Sequence, residues 1–202
     1  MKIGAQGGAS VGNVTSAARS SVECGRRIAV VGTTGSGKTT MARRIAQRLA
    51  LKHVELDALH WGPDWTPAPI ELFRERTAQA LDGDAWVVDG NYGKVRDIVW
   101  SRADTVVWLD YPLLVILGRL VWRTLRRIIT REELWQGNRE RFVAQFASRD
   151  SLFLWALRTY PRRRREYPAL LQRPEHVRLT VVHLRSPGDA RDWLASLEVA
   201  PR

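Results

Sequence analysis

The sequence predicts one parallel α/β domain in three layers, helices on both faces of a sheet, and three observations carry that expectation. Short apolar, β-branched runs alternate along the chain with stretches of helical spacing, and no segment repeats. At 202 residues and 45% hydrophobic content, with no shift in composition, the chain supplies one core and asks for no second. Between the first apolar run and the first helical stretch stands Gly32-Thr33-Thr34-Gly35-Ser36-Gly37-Lys38-Thr39, which fits G-x-x-x-x-G-K-[ST] in the strand–turn–helix setting that gives the pattern meaning.

The run over 27–31, with Ile28, Ala29, Val30 and Val31, suits a strand buried on both faces. Past the glycines, apolar side chains at 41, 42, 45, 46 and 49 mark a helix over 40–49. Chemistry explains the residue types between them. Glycines let the backbone fold back with its N–H groups pointing inward, an anion nest at the positive end of the following helix. Gly32, Thr33, Thr34, Gly35, Ser36, Gly37, Lys38, Thr39 and Thr40 are therefore the expected nucleotide-binding set. In it Lys38 reaches the β- and γ-phosphates of a nucleoside triphosphate such as ATP, and the Thr39 hydroxyl ligates Mg²⁺. The plainer alternative is a glycine-rich turn, and the flanking strand and helix argue against it.

A second strand over 53–56 ends in Asp57, ahead of a Gly/Pro loop that carries Trp61 and Trp65. Ligands of parallel sheets sit at the carboxyl ends of strands, which places Asp57 across from the P-loop on the acceptor side; its plainer role is to cap a turn. A helix over 69–81 follows, with Leu72, Phe73, Ala80 and Leu81 inward. The third strand, 85–88, runs into Asp89, the pattern of a Mg²⁺-side carboxylate in P-loop enzymes. The fourth, 104–110, also ends in aspartate. There Pro112 offers Asp110 a sufficient role as helix N-cap, so Asp89 is the first choice for the metal.

The next helix, 112–129, is expected to bury Leu114, Leu117, Val121, Leu125 and Ile128 and to carry Arg119, Arg123 and Arg127 along another face. Like charges at i, i+4 repel by about 0.2–0.5 kcal/mol per pair, and an anion between them reverses that sign. An amphipathic stretch reaching 157 leads to Arg162-Arg163-Arg164-Arg165 between Tyr160 and Tyr167, a run that is either solvated or in contact with phosphate or a base face. A fifth strand over 177–184 and a closing helix over 186–197 complete the chain.

Residues 1–25 are rich in Gly, Ala and Ser, show neither period, and lack an apolar segment after Lys2, so they are expected to form a disordered tail rather than a secretory signal. The domain is then 26–202. Cys24, the only cysteine, falls in that tail and suits a reducing cytoplasm. No apolar run is long enough to cross a bilayer. Net charge is +11, almost all of it from arginine, which favours bidentate phosphate contacts and keeps a nucleic-acid partner as the second functional reading.

The ordered set of motifs resembles the adenylate kinase-like "topology modulation protein" family of P-loop NTPases, and more distantly nucleoside monophosphate and shikimate kinases. It comprises the P-loop, 55–61, 87–92 with Asp89-Gly90-Asn91-Tyr92, 102–110, and the pair Arg119/Arg123. The resemblance covers about 26–198 and implies a five-stranded sheet, an arginine-bearing lid over about 119–168, and transfer of the γ-phosphoryl of ATP, with Mg²⁺, to a small acceptor. By position it implies that Arg119 and Arg123 open the lid and stabilise the transferring group, that Asp57 binds an acceptor hydroxyl, and that Arg158 is a candidate closing arginine. Where adenylate kinases follow Asp-Gly with Phe-Pro-Arg, this chain has Asn91-Tyr92-Gly93, which argues against AMP as acceptor. The catalytic set implied is thus Lys38, Arg119, Arg123 and Asp57, with Thr39 and Asp89 at the metal.

Overall fold

The structure, a computed structural model, describes residues 14–16, 24–130 and 152–197. The five expected strands form a parallel sheet. They are β2 (Arg27–Gly32), β3 (Lys52–Glu55), β4 (Trp86–Asp89), β5 (Thr105–Leu109) and β6 (Thr180–Leu184). A sixth, β1 (Val14–Ser16), pairs in parallel with β6 at one edge and comes from the segment expected to be tail. The order is β1-β6-β5-β2-β4-β3, so β2, which feeds the P-loop, lies between β5 and β4. The chain turns to opposite sides of β2 at that point, where parallel sheets open a crevice at the carboxyl ends of their strands.

Two faces alternate along the strands with period two. Ile28, Val30, Val87, Val107, Leu109, Val182 and Leu184 pack with α1 (Lys38–Leu49) through Met41 and Ile45, and with α7 (Pro187–Ser196) through Trp193. Ala29, Val31, Trp86, Val88, Val106 and Trp108 point the other way. They meet Phe73 of α3 (Ile70–Ala80), Val99 and Trp100 of α4 (Arg96–Arg102), and Tyr167 of α6 (Leu152–Leu171). The α7 start is fixed by a capping box in which Ser186 and Asp189 satisfy each other's backbone N–H groups.

Three expectations change. The inward face of α5 (Leu113–Thr130) runs through Ile116, Leu120 and Thr124, while Leu114 is 83% exposed and Val121 and Leu125 face outward. The reason is the P-loop, because Gly35 packs against Ile116 and Leu120, and this rotation swings Arg119 and Arg123 toward the glycines. Asp110 does not cap α5, which starts at Leu113; its carboxylate instead meets Arg164 Nε and His183 Nε2, each at 3.0 Å. Cys24 is half-buried against the core, not part of a free tail, and burial pushes its thiol up to about 11. The lid expected over 119–168 falls in part on 131–151, and the side chain of Arg127 also lies outside the described residues. Among the described residues no helix is long and apolar enough to cross a membrane.

Candidate functional site

The P-loop leaves β2 through Gly32 at φ +151° and enters α1 through Gly37 at φ +91°. A side chain at Gly32 would lie 2.6 Å from the Leu109 carbonyl, so glycine is the residue that passes here. Lys38 opens α1, two positions earlier than helical spacing alone suggests, and its Nζ lies 3.4 Å from the Thr33 carbonyl. Burial lowers its ammonium to about 8, Arg163 contributes in the same direction, and Asp57 and Asp89 oppose the shift. Thr33 and Ser36 are buried within the loop, while Thr40 is exposed and lines a neighbouring cavity.

Thr39 and Asp89 meet. The Thr39 hydroxyl donates to Asp89 Oδ2 at 2.5 Å, and the other carboxylate oxygen lies 3.0 Å from His53 Nε2. Parallel register explains the encounter, since Asp89 on β4 stands opposite Val30 of β2 just before the P-loop. A hydroxyl and a carboxylate beside a phosphate nest are hard oxygen donors, the kind Mg²⁺ takes while keeping waters and phosphate oxygens in its remaining positions.

Asp57 lies in the first turn of a short helix, α2 (Leu56–His60), directly after β3. It accepts a hydrogen bond from the Tyr92 hydroxyl at 2.5 Å, so its side chain does not serve to cap the turn. Burial raises its carboxyl above the ordinary range, with the Tyr92 bond and the Lys38 charge pulling the other way. Around Tyr92, His60 and Phe73 pack with ring centroids 4.7 and 5.1 Å away, and Trp61 meets Trp65 edge-on beyond His60.

Arginines approach the loop from two helices. Arg119 Nη1 donates to the Ser36 carbonyl at 2.8 Å and its guanidinium lies over Tyr111. Arg119 and Arg123 line a cavity of about 330 Å³ beside Gly35, Ser36 and Gly37, with Arg191 and Leu194 of α7 also in its wall. Arg163 of α6 reaches the Gly32 carbonyl at 3.4 Å, and its guanidinium is lowered, mainly by burial. Arg158, the resemblance-based candidate for closure, is exposed on the same helix.

The sequence presented Asn91 only as a departure from a motif, gave no sign of a role for His53, and did not single out Arg163 within its run. The signal for Arg163 was helical spacing. Ala156, Thr159, Arg163 and Tyr167 fall at three- and four-residue steps, and the stripe they define is the side of α6 that packs inward.

Residues 11–56 match the family model described as the central domain of helicase HerA, a stretch that holds β2, the P-loop and α1. The chain is 34% identical over 110 residues to a shikimate kinase of Thermosynechococcus vestitus, spanning 48% of this chain and 60% of that protein. It is 29% identical over 135 residues to a shikimate kinase of Synechococcus elongatus, spanning 56% and 71%. The first match thus covers less than two thirds of the relative's length. A solved shikimate kinase of Acinetobacter baumannii, in complex with shikimate, aligns with a TM-score of 0.50 over 83% of this chain and 88% of its own, at 18% identity. The fold is that of the P-loop kinases.

Proposed function

We propose that the chain is an ATP-dependent phosphotransferase that moves the γ-phosphoryl group to a hydroxyl of a small acceptor. The observation that carries this reading is the meeting of Thr39 and Asp89 at the mouth of the P-loop, with Lys38 and the Tyr92–Asp57 pair close by. Those groups divide into a donor side and an acceptor side.

On the donor side the backbone from Gly32 to Thr40 cradles the phosphates, and the cavity lined by Arg119 and Arg123 receives the nucleoside. Thr39 and Asp89 would hold Mg²⁺, which when bound draws charge from the β- and γ-phosphate oxygens. Lys38, Arg163 and the Arg119/Arg123 pair stabilise the charge that develops on the transferring group, and their gain is largest in the transition state. On the acceptor side Asp57 accepts the hydrogen bond of the acceptor hydroxyl in place of Tyr92. The acceptor oxygen bonds to the γ-phosphorus as the bond to the β,γ-bridging oxygen breaks; ADP leaves, and the hydroxyl proton passes to Asp57 and then to water. Burial raises the Asp57 carboxyl, which makes it a stronger base toward that proton than an ordinary aspartate. Approach of the described parts of α5 and α6 toward the loop would exclude water and limit wasteful hydrolysis.

A screen of ADP release against small hydroxylated and anionic compounds tests this. The reading expects one class to stimulate release well above the acceptor-free rate, and Asp57→Asn to remove the stimulation while sparing ATP binding. The second reading, an ATPase acting on nucleic acid, is favoured by the HerA match over 11–56 and by the net charge of +11. It expects stimulation by duplex DNA instead, with binding that falls steeply as salt rises.

A further inference from the structure

We propose that His53 is a positioning residue that holds Asp89 in the orientation the divalent cation requires. The inference rests on the kinase reading, because it concerns the carboxylate assigned there to the metal.

His53 lies on β3, the outermost strand on its side of the sheet, in register with Val87 of β4. Strand propensity would be met by valine or isoleucine at such a place, so an imidazole calls for another explanation. Its Nε2 is 3.0 Å from Asp89 Oδ1. A carboxylate accepts and cannot donate, so Nε2 carries the proton and the bond runs from ring to aspartate. The opposite ring nitrogen faces Glu55 Oε1 at 3.8 Å, and Glu55 is bonded in turn to Arg43 of α1 at 2.5 Å. Hydrogen bonds therefore join His53 to Asp89 and the second oxygen of Asp89 to Thr39 at 2.5 Å, while the pair of Glu55 with the exposed Arg43 lies beside the far edge of the ring.

Both carboxylate oxygens are thus committed, one to the P-loop hydroxyl and one to the ring. The Asp89 side chain is 4% exposed and His53 is 16% exposed, so solvent is poorly placed to replace the imidazole donor. Without it Oδ1 would keep its negative charge in a buried setting with its donor gone, and the carboxylate would turn to find another. Any such turn carries Oδ2 away from Thr39, the point where hydroxyl and carboxylate converge. Groups that hold a metal-binding carboxylate from behind act this way in metal sites generally, and their removal weakens metal affinity by about 10- to 100-fold.

Electron paramagnetic resonance of Mn²⁺ in the presence of protein and ATP measures the cation's affinity directly, and ATP titration in EDTA measures nucleotide binding without metal. The inference expects His53→Ala to weaken Mn²⁺ binding to the protein–ATP complex by about tenfold. It expects metal-free ATP affinity to stay at the wild-type value and His53→Gln, whose amide still donates, to recover most of the loss. His53→Leu, which keeps bulk on the strand and removes the donor, gives the same reading if the alanine variant fails to fold. Wild-type Mn²⁺ affinity in His53→Ala or His53→Leu overturns the inference. So does a loss of equal size in metal-free ATP binding, which marks a structural role. Absence of ATP binding by the wild-type chain would overturn the kinase reading itself, a result distinct from either.

Discussion

Asn91 grips Gly32 by both halves of its backbone, with Oδ1 accepting from the Gly32 amide at 3.2 Å and Nδ2 donating to the Gly32 carbonyl. The same Oδ1 accepts from the Tyr167 hydroxyl at 3.0 Å. A side chain on the β4 exit thereby fixes the first glycine of the P-loop and ties it to α6. The neighbouring Gly90, at φ +140°, lets the chain pass Leu56, where a side chain would come within 2.8 Å. Asn91→Ala removes the grip and leaves buried groups without partners, so a stability loss of about 2 kcal/mol is expected in urea unfolding. ATP affinity falls with it. Asn91→Asp keeps an acceptor but brings negative charge to a phosphate site, and its ATP affinity should fall further than its stability.

The two strand-end aspartates give opposite expectations. Asp89→Asn should raise the Mg²⁺ concentration needed for half-maximal turnover at least about tenfold, because a carboxylate oxygen is exchanged for a poorer donor. Asp110→Asn breaks a pair with Arg164 and His183 instead, and Arg164 is half-exposed. A stability loss of about 1–2 kcal/mol with an unchanged Mg²⁺ requirement is expected there, since solvent screens the arginine that is left. Metal titrations of activity together with thermal unfolding separate the two.

Within the arginine run, Arg163 faces the P-loop, whereas Arg162 and Arg165 are exposed and Arg162 pairs with Glu166 one turn on. Arg163→Ala should lower kcat by about 10²-fold, the scale of losing one donor to a developing charge, with a smaller change in KM for ATP. Arg162→Ala and Arg165→Ala should change either constant little. Steady-state kinetics of the three variants provide the check.

Lys38 makes nucleotide binding depend on pH. Its folded value of about 8 lies below the ordinary 10.5, and phosphate binding needs the charged form. ATP affinity should therefore be flat below pH 8 and decline above it, with about half a proton taken up per ATP bound at pH 8. Calorimetry in buffers of different ionisation enthalpy reads that uptake, and Lys38→Met should abolish it. In the absence of ATP the sign for stability is the reverse. The folded chain holds fewer protons than the unfolded chain between about 8 and 10.5, so this group's contribution to stability rises with pH across that window.

Much of the fold was legible because its elements are strongly patterned. Residues 41, 42, 45 and 46 fixed the buried face of α1, and apolar runs before Asp89 and Asp110 marked two central strands. The face of α5 was not legible, since Leu114, Val121 and Leu125 satisfy helical periodicity as well as Ile116 and Leu120 do. What decides between the two sets is the packing of Gly35, a tertiary contact. Side-chain partners were harder still. Asn91 looked like a departure from a known motif, and its two bonds to Gly32 depend on β4 lying beside β2, a pairing that spans 59 residues of sequence. Arg163 was one of four identical residues until helix α6 gave it a direction. Pro161 and Pro168, which usually break helices, hid that helix from pattern reasoning.

Transfer itself remains the decisive observable. Phosphorus NMR of ATP, Mg²⁺ and the most stimulating acceptor, with wild-type chain and with Lys38→Ala, follows the γ-phosphoryl group directly. Phosphoryl transfer requires loss of the γ-phosphate signal matched by a new phosphate-ester signal on the acceptor, and no such signal with Lys38→Ala. Conversion of ATP to ADP and inorganic phosphate alone, at the same rate with and without every acceptor, would contradict it.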